Sequence, residues 1–462
     1  MNGAAIAALT FVGFALAGCS GLPDQRLANE ALLRGDLATA QQHYEQLSQL
    51  GYAEAQTARG DMQVKSRDPQ QLQEAEALYR EAALSSVRAQ SRLGRLLARQ
   101  GNVSDERLKE AEGLLQHAVS KGEYSAVVPL TMLYVTYPQL SPTVDPQQLV
   151  NGWREQAIPE AELAQIVIYR SNGTYAAHAQ EIELSCRALL AVQDVCYVEL
   201  ASVYRLRQQH DEQEALLAEL HVAYRVHRVS PQRVESVAQA LTSPLLAAPV
   251  ELSSAHQLLT EVAPIYPPAA TSLAKLLIDY PQLGSQEQVL EYLAEGRRVG
   301  DSRAELLTGR LYFQGQGVPQ DPRQAEEHLL KAAAEQPGAD YYLGQLYRRG
   351  YLGKVEPQRA VDHLLRAARS GQAGADFALA QMFSEARGVK VNRVNAYVFA
   401  EVARQQGVPE AGALQQSLQA ALSDSERLQA QALLREELQA RQFDPERVAR
   451  LQIPETTQDD IL

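Results

Sequence analysis

Through most of the chain, apolar residues return every three or four positions and polar residues fill the gaps, as in EAEALYREAAL, which begins at Glu74 and ends at Leu84. That spacing predicts amphipathic helices, each burying one stripe. Runs of Val and Ile alternating with polar residues are scarce, so sheets are not expected. Helix starts are marked as well. Asp321-Pro322, Asp68-Pro69 and Asp145-Pro146 each place a capping acid before a proline at the first helical position. Near the end, Ser423 and Glu426 stand at capping-box spacing ahead of another amphipathic stretch.

The helical pattern repeats. Ala304, Gly309, Tyr312, Ala325 and Ala332 return as Ala339, Gly344, Tyr347, Ala360 and Ala367, a step of 35. A third copy puts Ala375, Ala380, Phe383, Ala396 and Ala403 in those places, one residue later. In the N-terminal part, Ala40, Ala75 and Ala111 head similar segments at steps of 35 and 36. Each unit reads as two helices, and two helices cannot bury an apolar face alone. Stacked copies share one core. Gly315 and Gly317 stand just ahead of a helix, where a phosphate-binding loop would be sought. Such a loop follows a strand and occurs once. This one follows a helix, and Gly350 and Gly353 recur at nearly the same place, so it reads as an inter-helix turn.

The repeat residues resemble the Sel1-like repeats, cousins of the tetratricopeptide repeat. The signature stands here as Ala339, Leu343-Gly344 and Tyr347, as Gly315-x-Gly317-Val318 with Asp321 in the preceding copy, and as Ala332-Ala333. The resemblance implies an all-α fold, a right-handed superhelical solenoid of Sel1-like or tetratricopeptide-like helix pairs. It is strong over about 300–410 and weaker over 28–135 and at 270–300, and between about 140 and 265 helices are expected but show no clean register. The expected organisation is a leader (1–18), a linker (19–27), N-terminal repeats (28–138), degenerate repeats (139–268), C-terminal Sel1-like repeats (269–418), a capping helix (419–450) and a polar, acidic tail (451–462).

The first residues depart from this pattern. AAIAALTFVGFALAG carries no charge and is short for a membrane span, as in a secretory leader. Its ending, Leu16 to Cys19, resembles the lipobox of bacterial lipoproteins. That resemblance implies lipidation of Cys19, and Ser20 after it implies the outer membrane. The segment before the apolar core lacks the usual Lys or Arg, which leaves a start upstream of Met1 open. Acyl chains of that kind give a stable anchor to membrane lipid. The chain of 462 residues carries a net charge of −13, with no long basic run, so nucleic acid is not an expected partner.

Candidate chemistry is sparse. His43, His328 and His363 each follow a repeat alanine by three residues, where other copies hold Leu78, Leu114 and Phe399. A position that accepts His, Leu or Phe reads as packing. No His-Glu-x-x-His run and no Cys/His spacing suits a metal, and no cofactor motif appears. Acidic pairs such as Glu74 with Glu76, and Glu326 with Glu327, are expected to face water rather than a cleft. No catalytic residues are assigned. Cys186 and Cys196 would lie about 15 Å apart in one continuous helix, but would face each other in a hairpin turning near Ala191; a disulfide stays open. A basic excess in one repeat, Arg348, Arg349, Lys354, Arg359, Arg366 and Arg369, is either solvated decoration or a docking site for an acidic partner, with Arg348, Arg349, Lys354 and Arg359 the candidates.

A lipobox followed by Sel1-like units looks like the outer-membrane lipoproteins of alginate secretion in pseudomonads. That resemblance implies a scaffold that is not an enzyme and lies at the periplasmic face of the outer membrane. Its implied partners are the outer-membrane alginate-export β-barrel and the periplasmic proteins that modify alginate. A polysaccharide-binding protein and an envelope enzyme with a site in 140–265 remain as alternatives.

Overall fold

A computed structural model describes residues 23–33, 36–64, 69–99, 104–244, 246, 248–385 and 389–441. Cys19, Ser20, Asp68 and the tail from 442 onward lie outside the described residues. Among those described there are twenty-four α-helices, a few short 3-10 turns and no strand. The N-terminal array holds α1 (Gln25–Leu33), α2 (Leu37–Gln49), α3 (Ala53–Val64), α4 (Pro69–Ala82), α5 (Val87–Arg99), α6 (Asp105–Ser120) and α7 (Val127–Thr136). The middle holds α8 (Pro146–Glu155), α9 (Glu160–Ser171), α10 (Ala179–Leu189), α11 (Cys196–Arg207), α12 (His210–Arg225), α13 (Pro231–Thr242) and α14 (Leu252–Val262). The C-terminal array holds α15 (Pro267–Asp279), α16 (Gln286–Arg298), α17 (Ser302–Gln314), α18 (Pro322–Ala332), α19 (Pro337–Arg349), α20 (Pro357–Arg369), α21 (Ala373–Ser384), α22 (Arg393–Gln405), α23 (Ala411–Ala421) and α24 (Asp424–Ala440).

The pairs predicted from the repeat are the pairs that pack most extensively: α3 on α4, α5 on α6, α17 on α18, α19 on α20 and α21 on α22. Each pair then leans on the next helix in sequence, which makes the chain a solenoid. Small residues set the closeness of each pair. A Cβ on Gly309 would stand 2.6 Å from Leu329 Cγ, and one on Gly344 would stand 2.6 Å from Leu364 Cγ. Gly60 against Tyr79 and Gly94 against Leu115 play the same part in the N-terminal array, at 2.5 and 2.8 Å. A Cβ at any of these places would have to displace the facing side chain or the helix that carries it.

The turns follow the sequence reading. Gly315 and Gly350 end α17 and α19 in the left-handed region, both at φ +68°. Asp321 accepts from the backbone N–H groups of Arg323 and Gln324, with Pro322 behind it, and Asp145 accepts from Gln147 N–H. Ser423 and Glu426 close a capping box on α24.

The middle region, where the sequence shows no clean register, contains the same kind of stack with joints of irregular length. Its largest joint, after α13, is held by a buried arginine of α11. Arg205 Nε donates to Pro249 O (2.7 Å), Nη1 to Ala240 O and Ser243 O (both 2.9 Å), and Nη2 to Ala248 O (2.8 Å). One guanidinium thus satisfies four carbonyls that no helix satisfies.

Candidate interaction surface

The basic repeat is where a docking surface is expected, and the structure divides its charges into two sets. Arg348 lies along the neighbouring unit, donating to Ala378 O at 3.1 Å and to Gln381 Oε1 at 3.0 Å. Arg359 covers the Tyr347 ring, with its guanidinium 3.8 Å from the centroid, and pairs with Glu326 and Glu356 at 3.2 and 3.4 Å. It also donates to the Tyr347 hydroxyl. Arg366 and Arg369 are likewise paired, with Asp340 at 2.9 Å and Glu437 at 3.0 Å. Arg349 and Lys354 remain outward. Arg349 lies over exposed Tyr351, and Lys354 reaches only Glu356 at 3.7 Å. With Val355, they make a small basic and apolar knuckle on the turn after α19.

Of the acids expected to face water, Glu74 and Glu327 are exposed, whereas Glu76 and Glu326, with two of the histidines, brace the units. Glu326 is half-buried and accepts from the Tyr347 hydroxyl at 2.6 Å. Glu76 is half-buried too. Burial pushes its carboxyl up, but Arg107 and Arg80 outweigh this and hold it below the usual range. His328 and His363 are buried, as packing residues are, and each also meets a carboxylate. His328 Nδ1 lies 2.6 Å from Glu305 Oε2, and His363 Nδ1 lies 2.6 Å from Asp340 Oδ1. Arg297 adds to the first contact at 3.4 Å from His328 Nε2, and Arg366 to the second. Among the described residues, no group of three or more His, Cys, Asp or Glu side chains could hold a metal ion.

These contacts form a repeated socket that the sequence reading missed. Glu305, Asp340 and Asp376 follow the repeat alanines Ala304, Ala339 and Ala375, so the acid recurs at the repeat step. The first two sockets take a histidine from the second helix of their own unit. The third cannot, because Phe399 and Val402 stand where His363 and Arg366 stand one unit earlier. Its cation comes from the end of the capping helix: Arg441 Nη2 and Nη1 meet the two Asp376 oxygens at 2.6 and 2.9 Å. The electrostatics differ accordingly. Burial pushes Asp340 up, but hydrogen bonds from His363 and Arg366 leave it below the usual carboxylate range. Burial pushes Asp376 up to about 6, and Arg441 offsets only part of this.

Cys186 ends up on α10 and Cys196 at the start of α11, across the hairpin expected around Ala191. Both are free and buried. The contact with Cys196 and then burial push the Cys186 thiol well above its ordinary range. Beside them lies a buried polar cluster without a sequence signal. Arg170 meets Glu199 at 2.6 Å and covers the Tyr175 ring, and the Tyr175 hydroxyl donates to Glu199 at 2.7 Å.

No helix among the described residues is long and apolar enough to cross a membrane. Three Sel1 repeats match at 302–336, 337–372 and 373–408, in register with α17 to α22. The AlgK tetratricopeptide repeat domain matches at 178–263, within the stretch whose sequence shows no clean register. Among solved structures, c5321, a protective antigen of uropathogenic Escherichia coli displaying an SLR fold, aligns over 93% of both chains at 20% identity and a TM-score of 0.45. The alginate biosynthesis protein AlgK of Pseudomonas aeruginosa is 55% identical over 425 residues, 92% of this chain and 89% of the relative. That of Azotobacter vinelandii is 46% identical, over 91% of this chain and 92% of the relative. With repeats in register and identity of this extent along nearly the whole length, the chain belongs to the AlgK family.

Proposed function

We propose that this chain is a non-catalytic scaffold for alginate production, anchored by lipid at the periplasmic face of the outer membrane. In this reading it holds the alginate-export β-barrel and the periplasmic alginate-modifying proteins in one assembly. The observation that carries the proposal is the continuous stack of helix pairs, an architecture whose long surfaces bind proteins. The relatives' role in alginate biosynthesis supplies the process, and the LAGC ending at Cys19 supplies the anchor. Crosslinking in intact envelopes, followed by recovery of the chain, should bring down an outer-membrane β-barrel and periplasmic proteins. Recovery of the chain alone would sink the reading. Purified protein should show no alginate lyase or acetyl-transfer activity, and either activity would overturn the non-catalytic part. Cys19→Ala should leave the chain without lipid and mislocalised, read by fractionation and by the mass of the mature N-terminus.

Within this reading the basic repeat docks an acidic partner through Arg349 and Lys354, next to Tyr351 and Val355. Arg348 and Arg359 serve chiefly to join units. Reversing Arg349 and Lys354 to Glu together should weaken partner recovery while helicity stays unchanged. Several charges must act together, since one exposed pair contributes only about 0.2–1 kcal/mol. Cys186 and Cys196 join in a disulfide in the oxidising periplasm. Mass measurement without reductant should find the chain two hydrogen atoms lighter, the two electrons passing to the periplasmic oxidant, and free thiols in envelope-derived protein would refute the bond.

A further inference from the structure

We infer that α24 is a displaceable plug, and that the seat beneath it is a docking groove for an amphipathic helix of a protein partner with an arginine near its C-terminal end. The seat has two parts. One is a short apolar strip from Val394, Val398 and Leu422, against which α24 lays Ala430, Leu433 and Leu434. The other is Asp376, fully buried, at the far end of the plug.

The apolar part holds α24 weakly. Ala430 is its only buried residue among 17, while Leu428 and Leu438 are 70% and 42% exposed. The ionic part is more complete. Arg441 is paired with both Asp376 oxygens and donates to Ala368 O at 3.2 Å. Glu437, one turn earlier, meets Arg441 at 3.0 Å and Arg369 at 3.0 Å. Gln406 of the α22 end adds a hydrogen bond to Asp376. The two preceding units each meet their carboxylate with a histidine of their own second helix, so their sockets are built into the pair. This one depends on a cation delivered by a separate helix, and a buried carboxylate without a cation is costly.

What now fills the seat defines what else fits it. Ala430, Leu434, Glu437 and Arg441 lie on one face of a helix, at i, i+4, i+7 and i+11. A partner helix with small and leucine-like residues at that spacing, ending in arginine, presents the same face. A polyanion does not match, because Asp376 is the charge left buried in the emptied seat and would repel it. The inference rests on the scaffold reading only in taking a protein as the occupant.

The full chain carrying Arg441→Ala tests it, with a fluorescent synthetic peptide of residues 423–441 as the probe. Hydrogen exchange in α24 should speed up at least about tenfold, with α15 to α22 unchanged. The peptide should bind the variant at least about tenfold tighter than it binds wild type, and a peptide ending in Ala instead of Arg should lose that gain. Leu434→Ala is the second variant. It loosens α24 from the apolar side, leaves Asp376 intact, and should also admit the peptide. Full protection of α24 in both variants would overturn the proposal. So would release of α24 without peptide binding, or equal binding of the two peptides. Any of these results, with wild-type chain still recovering envelope partners, would leave the scaffold reading standing.

Discussion

Asp340 and Asp376 occupy the same place in successive units, yet one carboxyl lies below the usual range and the other is raised to about 6. Both are buried. The difference lies in who supplies the counter-charge. Asp340 receives His363 and half-exposed Arg366 from the helix it packs on. Asp376 is fully enclosed, and its cation arrives from a helix more than sixty residues onward in sequence. A repeat can therefore keep its backbone geometry and change the reach of its electrostatics. Two substitutions on one helix face, to Phe399 and Val402, turn a local contact into a long-range one.

Removing the local anion should have the largest effect. Asp340→Ala leaves buried His363 without its carboxylate, beside half-exposed Arg366, and should cost about 3 kcal/mol in urea unfolding. A loss near zero would mean that the local socket is ornamental.

The pH dependence of the two sites should run in opposite directions. Asp376 is raised above its unfolded value, so its stabilising contribution is full at low pH and is lost as pH rises through about 6. Asp340 is depressed, so its contribution is present above the unfolded value and is lost as pH falls through the folded one. Between about pH 4.5 and about pH 7, Asp376 alone should remove about 2 kcal/mol. Asp376→Asn should abolish that component, and an unchanged pH profile would contradict the raised value.

A smaller change should make the third unit resemble the second. Phe399→His, placed in an Arg441→Ala background, offers Asp376 a donor from its own unit and should restore about 1 kcal/mol. No recovery would show that more than the histidine separates the units. The smallest effect is expected from Arg369→Ala. Its guanidinium is half-exposed and meets Glu437 on the rim, so the loss should stay below about 0.5 kcal/mol.

Much of this architecture is legible in the sequence, because repeats announce themselves by spacing. Gly309 with Gly344, Asp321-Pro322 and the Ser423–Glu426 box each encode a local rule, and local rules survive being read in one dimension. The acids at 305, 340 and 376 were equally available, since they follow the repeat alanines. Their meaning depends on what faces them from 23 residues away, or from Arg441, and spacing alone does not say that. The basic repeat shows the same limit. Arg348 and Arg359 read as surface charge, and the structure ties each to a neighbouring unit, Arg348 to Ala378 and Gln381 and Arg359 to Glu326. The middle region hid its register because its joints are irregular, and the Arg170–Glu199–Tyr175 cluster joins residues with no common period.

The arginine clamp on the joint after α13 bears on the order of events in folding. Arg205 is separated from its four carbonyl partners by 35 to 44 residues. None of those bonds can close until α11, α12 and α13 have already turned back on one another. The helix pairs on either side need only near neighbours and can form early. The clamp is therefore expected to close late, as a latch on a joint whose flanking helices already share one continuous core.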